Sequence, residues 1–310
     1  MSSLYWDDFQ RRTIETAGAI KSKTLPPVRR VAVFITDRCN FKCSYCNHNG
    51  KETLSEQQFQ NICEKYGSTA IIHITGGEPS VVPWLYPFLE SEKNKYRFNL
   101  NTNAYITPPY NAVRRLKISL DSCYPGEWNK LVGVPGAWNR VVENIKESSK
   151  YTIVSVTCVL TRENYIDAPK FALWTKENLP DIYALFFSTY KGNNPKFKFT
   201  KNSASTFFST VLPTLKKQLG SESLNLLEET LDEKIRIMEG IRFPENTTNK
   251  LCYLSMSERV ISPTGQEYTC SHLYRDKVYS NTFQKHPKCS YGCNRRLVKF
   301  NEEVEKLLEE

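Results

Sequence analysis

The residues with the most chemistry lie in one short stretch, Cys39-Asn40-Phe41-Lys42-Cys43-Ser44-Tyr45-Cys46. Its form is C-x-x-x-C-x-x-C, directly after the apolar run Val31-Ala32-Val33-Phe34-Ile35. Three thiolates on a loop after a strand can hold three corners of a cube-shaped 4Fe–4S cluster, since soft sulfur ligands suit iron–sulfur groups and zinc. A structural zinc wants four protein ligands, and this loop offers three. A cluster gripped at three corners leaves one iron open to a further ligand. On residues alone, a zinc knuckle or three incidental cysteines is the alternative.

A second constellation, Gly76-Gly77-Glu78-Pro79, closes the next apolar run. Glycine there lets backbone approach a ligand closely and adopt positive φ. Ser119-Leu120-Asp121 ends a later apolar run. With Tyr45 in the aromatic position, the cysteine loop resembles the C-x-x-x-C-x-aromatic-C signature of the radical SAM superfamily, and the Gly-Gly-Glu-Pro segment is similar to that family's second motif. The resemblance implies that S-adenosyl-L-methionine chelates the open iron and is reductively cleaved. The resulting 5′-deoxyadenosyl radical takes a hydrogen from a substrate, with flavodoxin or ferredoxin as the reductant. It also implies that Gly76, Gly77, Glu78 and Pro79 meet the methionine amino group, that Tyr45 lies against adenine, and that Ser119 and Asp121 sit near the ribose or carboxylate.

A rear set of cysteines, Cys252, Cys270, Cys289 and Cys293, makes one closed metal site. Two short apolar runs around Pro263-Thr264-Gly265 read as a β-hairpin that brings Cys252 and Cys270 together. This pattern resembles the twitch/SPASM extension of radical SAM enzymes in its one-cluster form, which implies a second, auxiliary 4Fe–4S cluster; zinc is the alternative. An auxiliary cluster can accept an electron from a substrate radical. That favours net oxidation, by dehydrogenation or by crosslinking in peptide or natural-product modification. Cys123, just past Asp121, is the candidate hydrogen donor of a radical epimerase, while Cys63 and Cys158 read as packing residues.

These motifs need elements to carry them. Strands are expected at 31–36, 70–75, 97–102, 116–120, 152–160 and 182–188, with helical segments between them and two further helices at 205–218 and 224–239. The alternation implies parallel βαβ units and an α/β fold that resembles the partial (β/α)6 TIM-like barrel of the family, with a small C-terminal cysteine-rich twitch-like extension. We divide the chain into a leader helix and linker (1–30), the barrel core (31–240) and an auxiliary-cluster region with a C-terminal helix (241–310). Barrel sites sit at the C-terminal ends of strands, where the cysteine loop, the Gly-Gly-Glu-Pro segment, Asn101-Thr102-Asn103 and Ser119-Leu120-Asp121 fall. Strand alternation then offers His73, Thr102, Lys117, Ser155 and Thr157 as candidates to meet a substrate, with Lys117 as a cation for an anionic group.

The chain has 310 residues, 40% of them hydrophobic, and a formal net charge of +9. No apolar run approaches the ~20 residues of a membrane span, and the N-terminus lacks a secretory apolar core, so a cytoplasmic protein with no membrane partner is expected. The positive charge favours an anionic small-molecule or peptide substrate. The rival from another class is a non-catalytic zinc protein that binds nucleic acid. That reading leaves the Gly-Gly-Glu-Pro segment and the strand–helix alternation without a purpose.

Overall fold

A computed structural model describes residues 3–46, 50–192, 194–220, 252–271 and 295–310, and positions 224, 227–228, 231–232, 235 and 274. Six strands follow one another in the chain and in the sheet: β1 (Arg30–Phe34), β2 (Ile71–Thr75), β3 (Arg97–Thr102), β4 (Arg115–Ser119), β5 (Ile153–Leu160) and β6 (Ala184–Thr189). Each pairs parallel with the next. The helices α2 (Glu56–Tyr66), α3 (Leu85–Glu92), α4 (Pro125–Val132), α5 (Ala137–Ser149) and α6 (Ala168–Asn178) fill four of the five crossovers, and a 3₁₀ turn, Tyr110–Ala112, lies in the one from β3 to β4. The result is the α/β arrangement of a partial TIM-like barrel.

Alternation along the strands divides the sheet into two unlike faces. Val31, Val33, Ile72, Ile74, Phe98, Leu100, Leu116, Ile118, Val154 and Val156 are buried and form one apolar core with the helices. Phe59 of α2, Leu89 of α3, Ile145 of α5 and Phe171 of α6 meet them there. The other face carries Arg30, His73, Asn99, Arg115, Lys117, Ser119, Ser155 and Thr157, which the strand register sets side by side.

Local rules explain most element ends. Ser55 accepts a hydrogen bond from Gln58 N at 3.2 Å while its own amide donates to Gln58 Oε1 at 2.9 Å, a reciprocal cap that starts α2. The helix expected over 205–218 starts earlier, where Thr200 caps Lys201–Thr206. It then widens into a π turn, Phe207–Val211, ahead of Pro213, whose missing N–H cannot continue a regular ladder. The helix expected over 224–239 lies largely outside the described residues.

The hairpin also forms, as β7 (Glu258–Ile261) against β8 (Glu267–Tyr268). Its first strand enters the barrel's own sheet, parallel to β1, rather than standing apart from it. The N-terminal helix α1 (Ser3–Lys21) packs on the C-terminal helix Arg295–Glu309, with Phe9 edge-on to Phe300 at 5.8 Å. Arg12 of α1 reaches Glu258 Oε1 at 2.8 Å, and Arg30 of β1 reaches Glu258 Oε2 at 3.2 Å. One buried carboxylate thus joins the leader, the first strand and the hairpin. Removing it strands two cations, so Glu258→Gln should lower stability by about 3 kcal/mol. Urea unfolding checks this; an unchanged midpoint would show that the three-way contact holds nothing together.

Candidate active site

The loop after β1 is fixed from two sides. Lys42 N and Ser44 N donate to Val132 O and Leu131 O, at 2.9 and 3.0 Å, at the end of α4. Phe41 is buried against Trp128 and Tyr105, with ring centroids 5.7 and 5.6 Å away. These anchors leave Cys39 and Cys46 exposed and Cys43 half-buried. Burial, then the negative charges of Glu78 and Cys46, push the Cys39 thiol up. Burial, then Asp121, Cys46 and Cys39, push Cys43 up further. The trio therefore repel one another as thiolates and want a cationic centre. Among the described residues no three His, Cys, Asp or Glu side chains converge tightly enough to hold a single metal ion. The donor set fits a cluster: three soft sulfurs on one loop, two of them open to solvent.

The Gly-Gly turn lies against this loop. Gly76 has φ +141°, and a side chain on it would collide with the Thr36 carbonyl. A side chain on Gly77 would collide with the carbonyl of Arg38, directly before Cys39. The glycines allow the two backbones to touch, with Gly77 N donating to Thr36 O at 2.7 Å and Glu78 N to Arg38 O at 2.8 Å. Glu78 is 1% exposed. Its oxygens accept from Thr102 Oγ1 and Asn103 N, both at 2.6 Å, and from Ser80 N at 3.0 Å. Burial raises its pKa and these donors oppose the rise. Asn103 Nδ2 then donates to Asn40 Oδ1, at 2.8 Å, between the first two cysteines. A relay Glu78–Asn103–Asn40 thus carries the position of β2 and β3 into the cysteine loop. Pro79 follows, buried, at the start of a short 3₁₀ turn.

Thr102 corrects one expectation. It pairs with Ile118 on the packed face, and its hydroxyl serves Glu78, so it does not face the barrel interior. Tyr45 is not a free ring either: its hydroxyl donates to Asp121 Oδ2 at 2.7 Å, and its ring meets Tyr190 and Phe197 edge-on. Asp121 also accepts from Val159 N at 2.7 Å. The cysteine loop is therefore tied to the ends of β4 and β5 as well. Ser119 is exposed at the rim, one inward position above Lys117. His73 lies on the inner face with Nδ1 3.4 Å from Asn99 Nδ2; burial, then Arg30 and Arg115, keep its ring neutral. Ser155 and Thr157 are buried there with hydroxyls that have no partner.

Cys123 goes elsewhere. It lines a cavity of about 250 Å³ at the strand ends, with Trp128 and Leu131 of α4, Phe171 of α6 and the outward-facing Cys158. The structure thus places it on the helical side and does not bring it to the inner row. Cys252 packs with Ala17, Leu254, Phe300 and Val304, while Cys270 lies beside Val260, Tyr268 and Tyr274. Cys289 and Cys293 lie outside the described residues. Sequence reasoning set Asn103 at the rim within Asn101-Thr102-Asn103 but gave neither it nor Asn40 a role; the bond between them joins two distant loops. That reasoning also missed Arg30 and Arg115, whose inward position depends on strand register.

Two consequences can be measured. Burial pushes the Asp121 carboxyl up from 3.8 to about 6. The folded chain then holds that proton more tightly than the unfolded one, so this contribution is full below about pH 4 and is lost as pH rises through about 6. Relative to Asp121→Asn, the wild type should lose about 2 kcal/mol between pH 4 and pH 7, read from urea midpoints; parallel pH profiles would refute this. Gly77→Ala forces the turn off the Arg38 carbonyl and should cost about 2 kcal/mol. A wild-type thermal midpoint would show that the two backbones have room.

Comparison with known proteins agrees with this geometry. Residues 33–174 match the family model described as the radical SAM superfamily. A curated GTP 3′,8-cyclase of Shewanella denitrificans is 27% identical over 172 residues, 48% of this chain and 50% of that protein. One from Peptoclostridium acidaminophilum is 24% identical over 211 residues, 61% of this chain and 65% of its own. The chain thus spans about half to two-thirds of these relatives. Among solved structures, Streptococcus suis SuiB bound to precursor peptide SuiA superposes with a TM-score of 0.57 at 16% identity, covering 94% of this chain and 68% of that one. Native anSMEcpe with AdoMet and the Cp18Cys peptide gives 0.61 at 16% identity, covering 89% and 82%. The stretch that carries the cysteine loop and the first five strands is thus similar to the radical SAM superfamily.

Proposed function

We propose that this chain uses a 4Fe–4S cluster on Cys39, Cys43 and Cys46 and S-adenosyl-L-methionine to abstract a hydrogen from a substrate in the barrel mouth. The observation that carries the reading is the relay from buried Glu78 through Asn103 to Asn40. It fixes the cysteine loop at the C-terminal rim, above an open polar face. When bound, the cluster and its ligand supply a carbon radical generated by one electron from a reductant such as flavodoxin or ferredoxin. The protein's part is positional. Gly76 and Gly77 keep backbone close to the loop, Tyr45 and Asp121 tie it to β4 and β5, and Ser119 stands at the rim.

The finer reading is net oxidation of the substrate, with a second cluster on Cys252, Cys270, Cys289 and Cys293 as electron acceptor. Its support is the spacing of these four cysteines. The relatives named GTP 3′,8-cyclase favour a second reading, ring formation within a nucleotide, and the cationic inner face agrees with it. Both begin with the same hydrogen abstraction. Anaerobic reconstitution with iron and sulfide should give a brown chain holding about eight irons, two four-iron clusters. Adding S-adenosyl-L-methionine and dithionite should release 5′-deoxyadenosine. Cys43→Ala should abolish that release and lower iron to about four per chain, the rear cluster alone. A brown wild type that yields no 5′-deoxyadenosine would sink the proposal. A wild type with four irons would remove the auxiliary cluster alone.

A further inference from the structure

Among the described residues, the inward strand positions carry more cations than carboxylates. Register sets Asn101, Lys117, Ser155 and Ala184 on one transverse row, and Ser119, Thr157 and Phe186 on the row above. Arg115 lies one inward position below Lys117, and Arg30 faces inward on β1. Among the described residues, the inward strand positions carry one carboxylate, Glu258, which is taken by Arg12 and Arg30. Among the described residues, Lys117 pairs with no carboxylate, and the charged groups that face it are cations. Burial, then Arg115, Lys191 and Arg30, hold its ammonium down to about 8.

The neighbours of Lys117 are also unusual. Ser155, its register partner, is 0% exposed, and Thr157, one inward position higher, is 8% exposed. Neither hydroxyl has a hydrogen-bond partner. An unpaired buried hydroxyl costs about 1–3 kcal/mol. Two of them beside an uncompensated lysine mark a place where a ligand completes the bonding. Asn101 and Ser119 are exposed, so this face is open to solvent from the rim. Lys117 sits two residues below Ser119, a depth of about 7 Å.

We propose that Lys117, with the hydroxyls of Ser155 and Thr157, forms an anion subsite one layer beneath the rim that grips a carboxylate or phosphate of the substrate. This rests on the reading of the barrel mouth as the substrate site and adds the chemical class of what enters it. The ammonium gives charge, and the two hydroxyls donate to separate oxygens of the anion. Such a grip fixes the depth of the substrate and presents its uncharged part to the rim, where hydrogen abstraction takes place.

The test uses the reconstituted full chain at constant ionic strength, with inorganic pyrophosphate and succinate as separate probes followed by calorimetry. Saturable binding is expected for one or both. Tighter binding of pyrophosphate assigns a phosphate; tighter binding of succinate assigns a carboxylate. Lys117→Gln should weaken the preferred probe about tenfold, or about 1.4 kcal/mol, whereas Lys117→Arg, which keeps the charge, should retain it. A second readout needs no variant. Acetylation of Lys117 in the wild type, followed by mass spectrometry, should slow in the presence of the probe, while exposed Lys176 reacts as before. No saturable binding, equal binding by Lys117→Gln, or unprotected Lys117 would each overturn the subsite; equal binding would mean surface attraction only. Binding by a chain that never yields 5′-deoxyadenosine would uphold the subsite and remove the catalytic reading, and turnover without binding would do the reverse.

Discussion

A buried carboxylate governs the geometry of this site. Glu78 is almost fully removed from solvent, where an ionised carboxyl is costly unless donors surround it. Thr102, Asn103 and Ser80 provide those donors, and two of the three come from the end of β3. The bonds form only when the β2 turn and the β3 end stand in one relative position. Asn103, held by its amide, then presents its side chain to Asn40. Charge desolvation is thus turned into precision at a loop with no regular structure of its own. The glycines before Glu78 serve the same end, because any side chain there would separate the turn from the loop it positions.

The rest of the barrel separates two tasks by strand parity. Outward residues are apolar and bind the helices, giving the sheet its rigidity. The inward residues of β3 and β4 are polar or cationic. The cost appears as hydroxyls without partners and a lysine held among other cations. Stability alone does not select such a face, since apolar residues of like size would fill it at less cost. The hairpin strand β7 extends the arrangement beyond β1 and brings Glu258, which neutralises Arg12 and Arg30 at the lower edge and leaves the layer of Lys117 positive.

Much of this was legible in the amino-acid order. Alternating apolar runs placed all six parallel strands within a few residues, because burial on one face imposes a period of two. Ser55 and Gln58 announced the start of α2 through their reciprocal bonds. The cysteine spacing and the two glycines announced the rim. The reading of Thr102 as a substrate residue failed because β3 ends with Thr102 on its packed face, and one position of parity decides that. The placement of Cys123 failed to show for a similar reason: its neighbours come from α4, α6 and β5, which are distant in the chain.

The sequence alone determined the candidate thiols and the alternation that builds a barrel, since thiol spacing and hydrophobic period are local properties. Tertiary structure decided what those parts touch. It joined Glu78 to Asn103, Tyr45 to Asp121 and Arg12 to Glu258, pairs separated by 25 to 246 positions. It also set Lys117 beside Ser155. No local rule links such residues, because hydrogen bonds and charge pairing depend on distance in space, and strand register sets that distance.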